Sequence, residues 1–241
     1  TTRVWWTAFD STPRLPGFAR ASFDAATFLG VTGLLTMLRF RPLLVQLMIA
    51  ACAMTAIVLT SSKGMVMAFP LAVLWVLVHQ RRSNPWGTVV LTAVCAAALL
   101  LPLSVAYLGF GSQTSEADVP SLLVSVWGRF TSMWPDAFSL LPEGLQALLG
   151  AGIGGIGTPQ TVGHAAHLEN AGDNLAVYIL ISFGLPGLCY YAAPVLLSSK
   201  VAASEVAMVY RAYVGVLLLA YVYGVVSNIV ESSFFGLVFG L

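Results

Sequence analysis

The polar positions of this chain are sparse and bunched, and between them run blocks of apolar residues too long and too uninterrupted to alternate with the period of a strand or an amphipathic helix. Six such blocks fall at about 23–38, 43–61, 64–79, 87–109, 174–197 and 211–228, and a seventh apolar run, 229–241, ends the sequence. A helix needs roughly 20 apolar residues to cross about 30 Å of hydrocarbon. The pattern therefore predicts an all-α fold, a polytopic transmembrane bundle of about six or seven spans. The run at 229–241 either continues the sixth helix or starts another.

Composition agrees with that pattern. Of 241 residues, 58% are hydrophobic and 9% charged, against about 25% charged in an average soluble domain. The net charge of +1, with no cluster of Lys and Arg, excludes a phosphate-backbone partner and so nucleic acid. Cys52, Cys95 and Cys189 lie inside predicted spans as small apolar side chains and suggest neither a disulfide framework nor a metal site. The sequence begins at Thr1 with neither Met nor a basic stretch before its first apolar block. The expectation is a single transmembrane domain, 1–241, that is a fragment or processed product of a longer membrane protein.

Charge in the connections sets an orientation. Arg39 and Arg41, then Arg81 and Arg82, occupy alternate connections, and the positive-inside rule makes those cytoplasmic. Residues 1–22, the 60–64 turn, the large 110–173 loop and the C-terminal run then face the periplasm. Between Val119 and Leu149 that loop carries Trp127, Phe130, Met133, Trp134 and Phe138 in an amphipathic pattern. Such a segment either lies at the headgroups or packs its aromatics onto neighbouring helices, capping the bundle in both cases.

Ionisable groups near a bilayer are costly, so their placement points to chemistry. They gather on the predicted outer face. Lys63, in the short turn Thr60-Ser61-Ser62-Lys63-Gly64, is either a snorkelling side chain or a fixed cation able to clamp a phosphate. Gly150-Ala-Gly-Ile-Gly-Gly-Ile-Gly157 contains a formal G-x-G-x-x-G but lacks the strand and helix of a dinucleotide site. A turn whose backbone at Gly152 and Gly154 approaches a ligand or headgroup fits better. His164 and His167 are followed by Glu169 and Asp173. Zinc would suit such residue types, although no H-E-x-x-H or Cys pair accompanies them. General-base work or orientation of a sugar hydroxyl competes with it. Asp173-Asn174 also precedes a span directly, as a helix N-cap would. Glu116 and Asp118 form an acidic pair in a polar Gly/Ser/Thr stretch, read as solvated loop.

Taken in order, these segments resemble the O-antigen polymerase and O-antigen ligase family of bacterial polysaccharide enzymes. Arg14-Leu-Pro-Gly17-Phe18 followed by Asp24 is similar to that family's R-x-x-G-F block. Thr60 to Gly64 resembles its S-x-S-R-G turn with Lys63 in place of Arg. Gly150-Ala-Gly152-Ile153-Gly154 resembles the glycine run of its periplasmic loop. Asp173-Asn174-Leu175 through Gly184-Leu-Pro-Gly187-Leu188 resembles its H-N-x-Y-L…G-L-x-G-L segment with Asp173 in place of His. The resemblance covers most of the chain and the later part of a longer family member.

It implies a bacterial inner-membrane enzyme that moves a glycan from an undecaprenyl-pyrophosphate carrier to a sugar hydroxyl at the periplasmic face. A polymerase extends another lipid-linked repeat, and a ligase caps a lipid A core. On this reading Arg14, Lys63, Arg129, Asn174, Gly152 and Gly154 bind pyrophosphate and glycan, while His167, Asp173 and Glu169 act on the acceptor. No metal or other cofactor is expected, and the partners are the lipid-linked glycan, the bilayer and other polysaccharide-export proteins. Lys63 for Arg and Asp173 for His count against a ligase and leave the general base unassigned. The rival from another class is a transporter or flippase for a polar or lipid-linked substrate, which would place its binding groups on broken helices.

Overall fold

A computed structural model describes residues 22–79, 86–108, 124–157, 160, 170, 172–202 and 207–232. Arg14, the Arg81–Arg82 pair, the Glu116/Asp118 pair, His164, His167, Glu169 and the 233–241 run lie outside them. Among the described residues the chain is all-helical, with no strand. Six helices fall on the six apolar blocks: α1 (Ser22–Arg39), α2 (Leu43–Leu59), α3 (Lys63–Val78), α4 (Trp86–Leu108), α7 (Leu175–Ala202) and α8 (Ala207–Gly224). Between α4 and α7 lie α5 (Val124–Gly128), a π-helical turn (Arg129–Met133), α6 (Trp134–Ser139) and a 3-10 turn (Gly144–Leu148).

Local chemistry explains the boundaries. Asp24 in the first turn of α1 and Arg39 in its last complement the helix dipole. Pro42, which cannot continue a helix from before, precedes α2. The chain leaves α2 through Thr60, whose hydroxyl donates to the Ile57 carbonyl. Ser61 then adopts φ 56°, the one left-handed non-Gly residue among those described, which turns the backbone sharply into α3.

α8 is the hub, packed against α1, α3, α4 and α7, while α2 packs against α1 and α3 at the periphery. The core is continuous through Tyr210, Leu217, Tyr221, Phe69, Leu34 and Tyr191. Large apolar side chains also cover the outside: Leu44 is 71% exposed, Met67 72% and Leu196 70%. A surface this apolar, spread over several helices, is far beyond the scattered exposed residues of a water-soluble fold. By length and composition, two helices, Trp86–Leu108 and Leu175–Ala202, can cross a membrane; Leu43–Leu59, Lys63–Val78 and Met208–Gly224 are apolar but shorter.

α7 departs from the single span expected at 174–197. Gly184 sits at φ 59°, ψ −140°, outside helical space, and splits the element into 175–183 and 185–202. The sequence supplies the reason. The carbonyl of Ser182 would bond residue 186 in a continuous helix, and Pro186 has no N–H to give.

The aromatic segment of the large loop packs inward. Trp134 is buried and meets Phe130 edge-to-face at 5.0 Å, while Phe138 lies against Tyr107 of α4 at 6.5 Å. Packing onto neighbouring helices, the second of the two arrangements the pattern allowed, is the one adopted by these aromatics.

Candidate functional site: a polar layer at the Lys63 end

Three hydrogen bonds measure height along α4. Ser198 donates to Thr88 at 2.9 Å, Tyr191 to the Cys95 carbonyl at 3.3 Å and Asn174 to the Ala98 carbonyl at 3.2 Å. α4 runs on past Ala98 to Leu108, a further ten residues or about 15 Å. The Asp173–Asn174 pair therefore enters the bundle well below the end of α4. The last turn of α8 lies at the same height, since the Asn174 amide also donates to the Val225 carbonyl at 3.1 Å. The α2–α3 turn joins it. A side chain at Gly64 would strike Val226 Cγ2 at 2.5 Å and Tyr223 Cδ2 at 2.9 Å, so only glycine lets α3 start this close to the end of α8. Beside it, Ser62 Oγ and Tyr223 Oη are 3.0 Å apart.

Arg129 completes the layer. It opens the π-helical turn, in which the Trp134 amide donates to the Arg129 carbonyl five residues back; such turns re-aim side chains and recur at functional sites. Arg129 Nη2 donates to Asp173 Oδ2 at 2.9 Å and to the Val226 carbonyl at 3.1 Å. The side chains are 14% and 32% exposed, so the pair is largely desolvated but open on the Asp173 side. Burial pushes the Asp173 carboxyl above its ordinary 3.8, and the charge and hydrogen bond of Arg129 oppose that rise without cancelling it. The hydrogen bonds Asp173 makes to the described residues use Oδ2 alone, which leaves Oδ1 for a further donor.

A small lattice holds Asp173 from the loop side. The Asn170 amide donates to Gln160 Oε1 at 2.8 Å, Gln160 Nε2 to the Gly155 carbonyl at 2.9 Å, Asn170 Nδ2 to the Met133 carbonyl at 2.9 Å and the Gly172 amide to Asn170 Oδ1 at 2.9 Å. Gln160 and Asn170 are buried, and every bond ties the loop to itself or to the π-helical turn that carries Arg129.

The sequence-derived site residues fall into three groups. Lys63, Arg129 and Asp173 come together in this layer, with Lys63 exposed on its turn. Asn174 is fully buried and spent on structure. Its Oδ1 accepts the Val177 amide at 3.0 Å, which makes it, and not Asp173, the cap of α7. Gly152 and Gly154, at φ +81° and +99°, lie on the loop, and the space around Gly152 is open. Tyr223 and Ser62, absent from the sequence-derived set, border the layer; Tyr223 stands one residue from the end of α8 as Tyr-Val-Tyr-Gly, a polar tip on an apolar helix. Among the described residues no three His, Cys, Asp or Glu side chains gather as a metal site would require. Compared with protein-family models, with curated proteins and with solved structures, the chain matches none.

Proposed function

We propose that this chain belongs to a multi-pass enzyme of the bacterial inner membrane. In this reading it moves a glycan from an undecaprenyl-pyrophosphate carrier to a sugar hydroxyl at the periplasmic face, as a polysaccharide polymerase. The observation that carries the reading is convergence: Lys63, Arg129 and Asp173, far apart in sequence, share one polar layer at the end of the bundle opposite Arg39 and Arg41. The apolar exterior supports six or seven spans, with the shorter helices accommodated by local thinning of the bilayer. Lys63, exposed on a rigid turn, meets the pyrophosphate together with Arg14, and Arg129 contributes charge while orienting Asp173. A carboxylate with a raised pKa and an oxygen that no described residue engages suits proton abstraction from an acceptor hydroxyl. His167 and Glu169 act on the same acceptor side, and the loop backbone at Gly152, which is open, and at Gly154 receives the glycan. Other polysaccharide-export proteins are its partners in the membrane.

One observation favours the second reading, a transporter or flippase for a lipid-linked substrate: α7 is broken at Gly184, as substrate-carrying helices of transporters are. Lys63→Ala and Lys63→Arg separate the two. The polymerase reading expects Lys63→Ala to abolish long-chain polymer at unchanged protein level, and Lys63→Arg to retain it. Full-length polymer from Lys63→Ala would remove the cation from the mechanism and put the transporter ahead.

A further inference from the structure

The glycine run does something that neither functional reading assigns to it. At the break in α7 the carbonyl of Ser182 has no helical donor, because Pro186 lacks an N–H, and the carbonyl of Ile181 lies beside it. Both are taken up by the loop: the Ala151 amide donates to Ile181 O at 2.7 Å and the Gly152 amide to Ser182 O at 2.9 Å. The contact is backbone against backbone. A Cβ on Gly150 would stand 2.6 Å from Gly184 N and 2.7 Å from Ile181 O, and a Cβ on Gly184 would run into the Leu148 carbonyl. Both glycines also have positive φ, 79° and 59°, so each is fixed by conformation and by space. Gly152 has the same φ, 81°, but nothing within 4 Å of a Cβ.

We infer that residues 148–152 are a latch that closes on the break at Gly184 and sets the position of the 175–183 half-helix, and with it Asp173 at that half-helix's entrance. Gly150 and Gly184 are thus positioning residues. The two halves of α7 touch again at Gly187, where a Cβ would stand 2.6 Å from Ile179 O, but beyond the break 185–202 has its own hold on α4 and α8 through Ser198 on Thr88 and Tyr213 on the Pro194 carbonyl. The link to chemistry rests on the reading of Asp173 as an acceptor-side group; the latch itself does not.

The test uses the full chain in its own membrane with Cys52, Cys95 and Cys189 replaced by Ala, and one reporter cysteine at a time. Ala176→Cys reports on the half-helix and Ser198→Cys on the far half; both positions are fully buried. Gly150→Asn keeps a residue that tolerates positive φ but adds the colliding Cβ, whereas Gly152→Asn adds it in open space. Reaction of Ala176→Cys with a water-soluble maleimide should rise about tenfold or more in Gly150→Asn and in Gly184→Ala, as expected for local opening, and stay at background in Gly152→Asn. Ser198→Cys should stay protected in all three. Equal behaviour of Gly150→Asn and Gly152→Asn would overturn the latch, and so would loss of protection at both reporters, which would mean a general requirement for folding. Opening at Ala176 with unchanged polymer would leave the latch standing and overturn the role given to Asp173.

Discussion

Removing the guanidinium of Arg129 should expose how much of this layer depends on one ion pair. At 2.9 Å between Nη2 and Oδ2, an effective dielectric near 20 gives a gross attraction of about 6 kcal/mol. Burial of the carboxylate more than offsets it, because the Asp173 carboxyl still sits above its ordinary value despite Arg129. Truncation leaves a partly buried carboxylate and an uncovered Val226 carbonyl. Arg129→Ala should therefore destabilise the fold by about 2–3 kcal/mol, between the values for exposed and fully buried pairs. Asp173→Asn, neutral and nearly isosteric, should cost about 1 kcal/mol or less and keep a hydrogen bond. The double variant should fall short of the sum by about 1–2 kcal/mol. The sign with pH follows from the raised carboxyl. Below its ordinary value of 3.8 Asp173 is protonated folded and unfolded, and its full contribution is present. That contribution is lost as pH rises from there through the raised folded value, so the wild type should weaken relative to Asp173→Asn over that interval. In Arg129→Ala the loss should be larger and reach higher pH, since the opposing charge is gone. Thermal unfolding of the wild type, both single variants and the double variant in one detergent, from pH 3.5 to 7, measures all of this. Additive losses within about 0.3–0.5 kcal/mol and parallel pH profiles would mean that the pair does not organise the layer.

Two further outcomes test the architecture. Gly64→Ala should lower thermal stability by about 1–3 kcal/mol through overpacking against Val226 and Tyr223, whereas Gly128→Ala, helical with nothing within 4 Å of its Cβ, should be neutral or stabilising by about 0.5–1 kcal/mol; equal effects would contradict the close approach of α3 to α8. Cysteines introduced near Gly157, at the exposed Ile153, and near Ser83 should differ toward a membrane-impermeant thiol reagent in intact spheroplasts, with the first labelled and the second protected. The opposite pattern would invert the orientation and move the polar layer to the cytoplasmic side.

Helix positions were legible because long apolar blocks with clear punctuation, Pro42, the Thr60–Gly64 turn and Asp173-Asn174, need no partner to be read. The break at Gly184 was written in Gly-Leu-Pro-Gly, but hydropathy averages over it, since every residue there is apolar or small. Lys63, Arg129 and Asp173 were legible as scarce charges in an apolar chain. Their convergence was not, because it depends on Gly64 admitting α3 to the end of α8 and on a π-helical turn that re-aims Arg129, and neither leaves a periodic trace. Asn174 shows the converse ambiguity. A polar residue at the mouth of a helix reads equally well as ligand or cap, and only its three bonds, to Ala98, Val225 and Val177, decide that it caps.

The central claim is that this polar layer transfers glycan, and the most direct measurement follows undecaprenyl pyrophosphate released from a lipid-linked glycan when the purified full chain is given that donor and an acceptor repeat in lipid vesicles. The account predicts release coupled to elongated glycan, with both reduced about 10²–10³-fold in Asp173→Asn and in Lys63→Ala, the loss typical of removing one group that acts in the transition state. Intact donor that moves across the vesicle membrane without release or elongation would contradict it and assign the layer to transport.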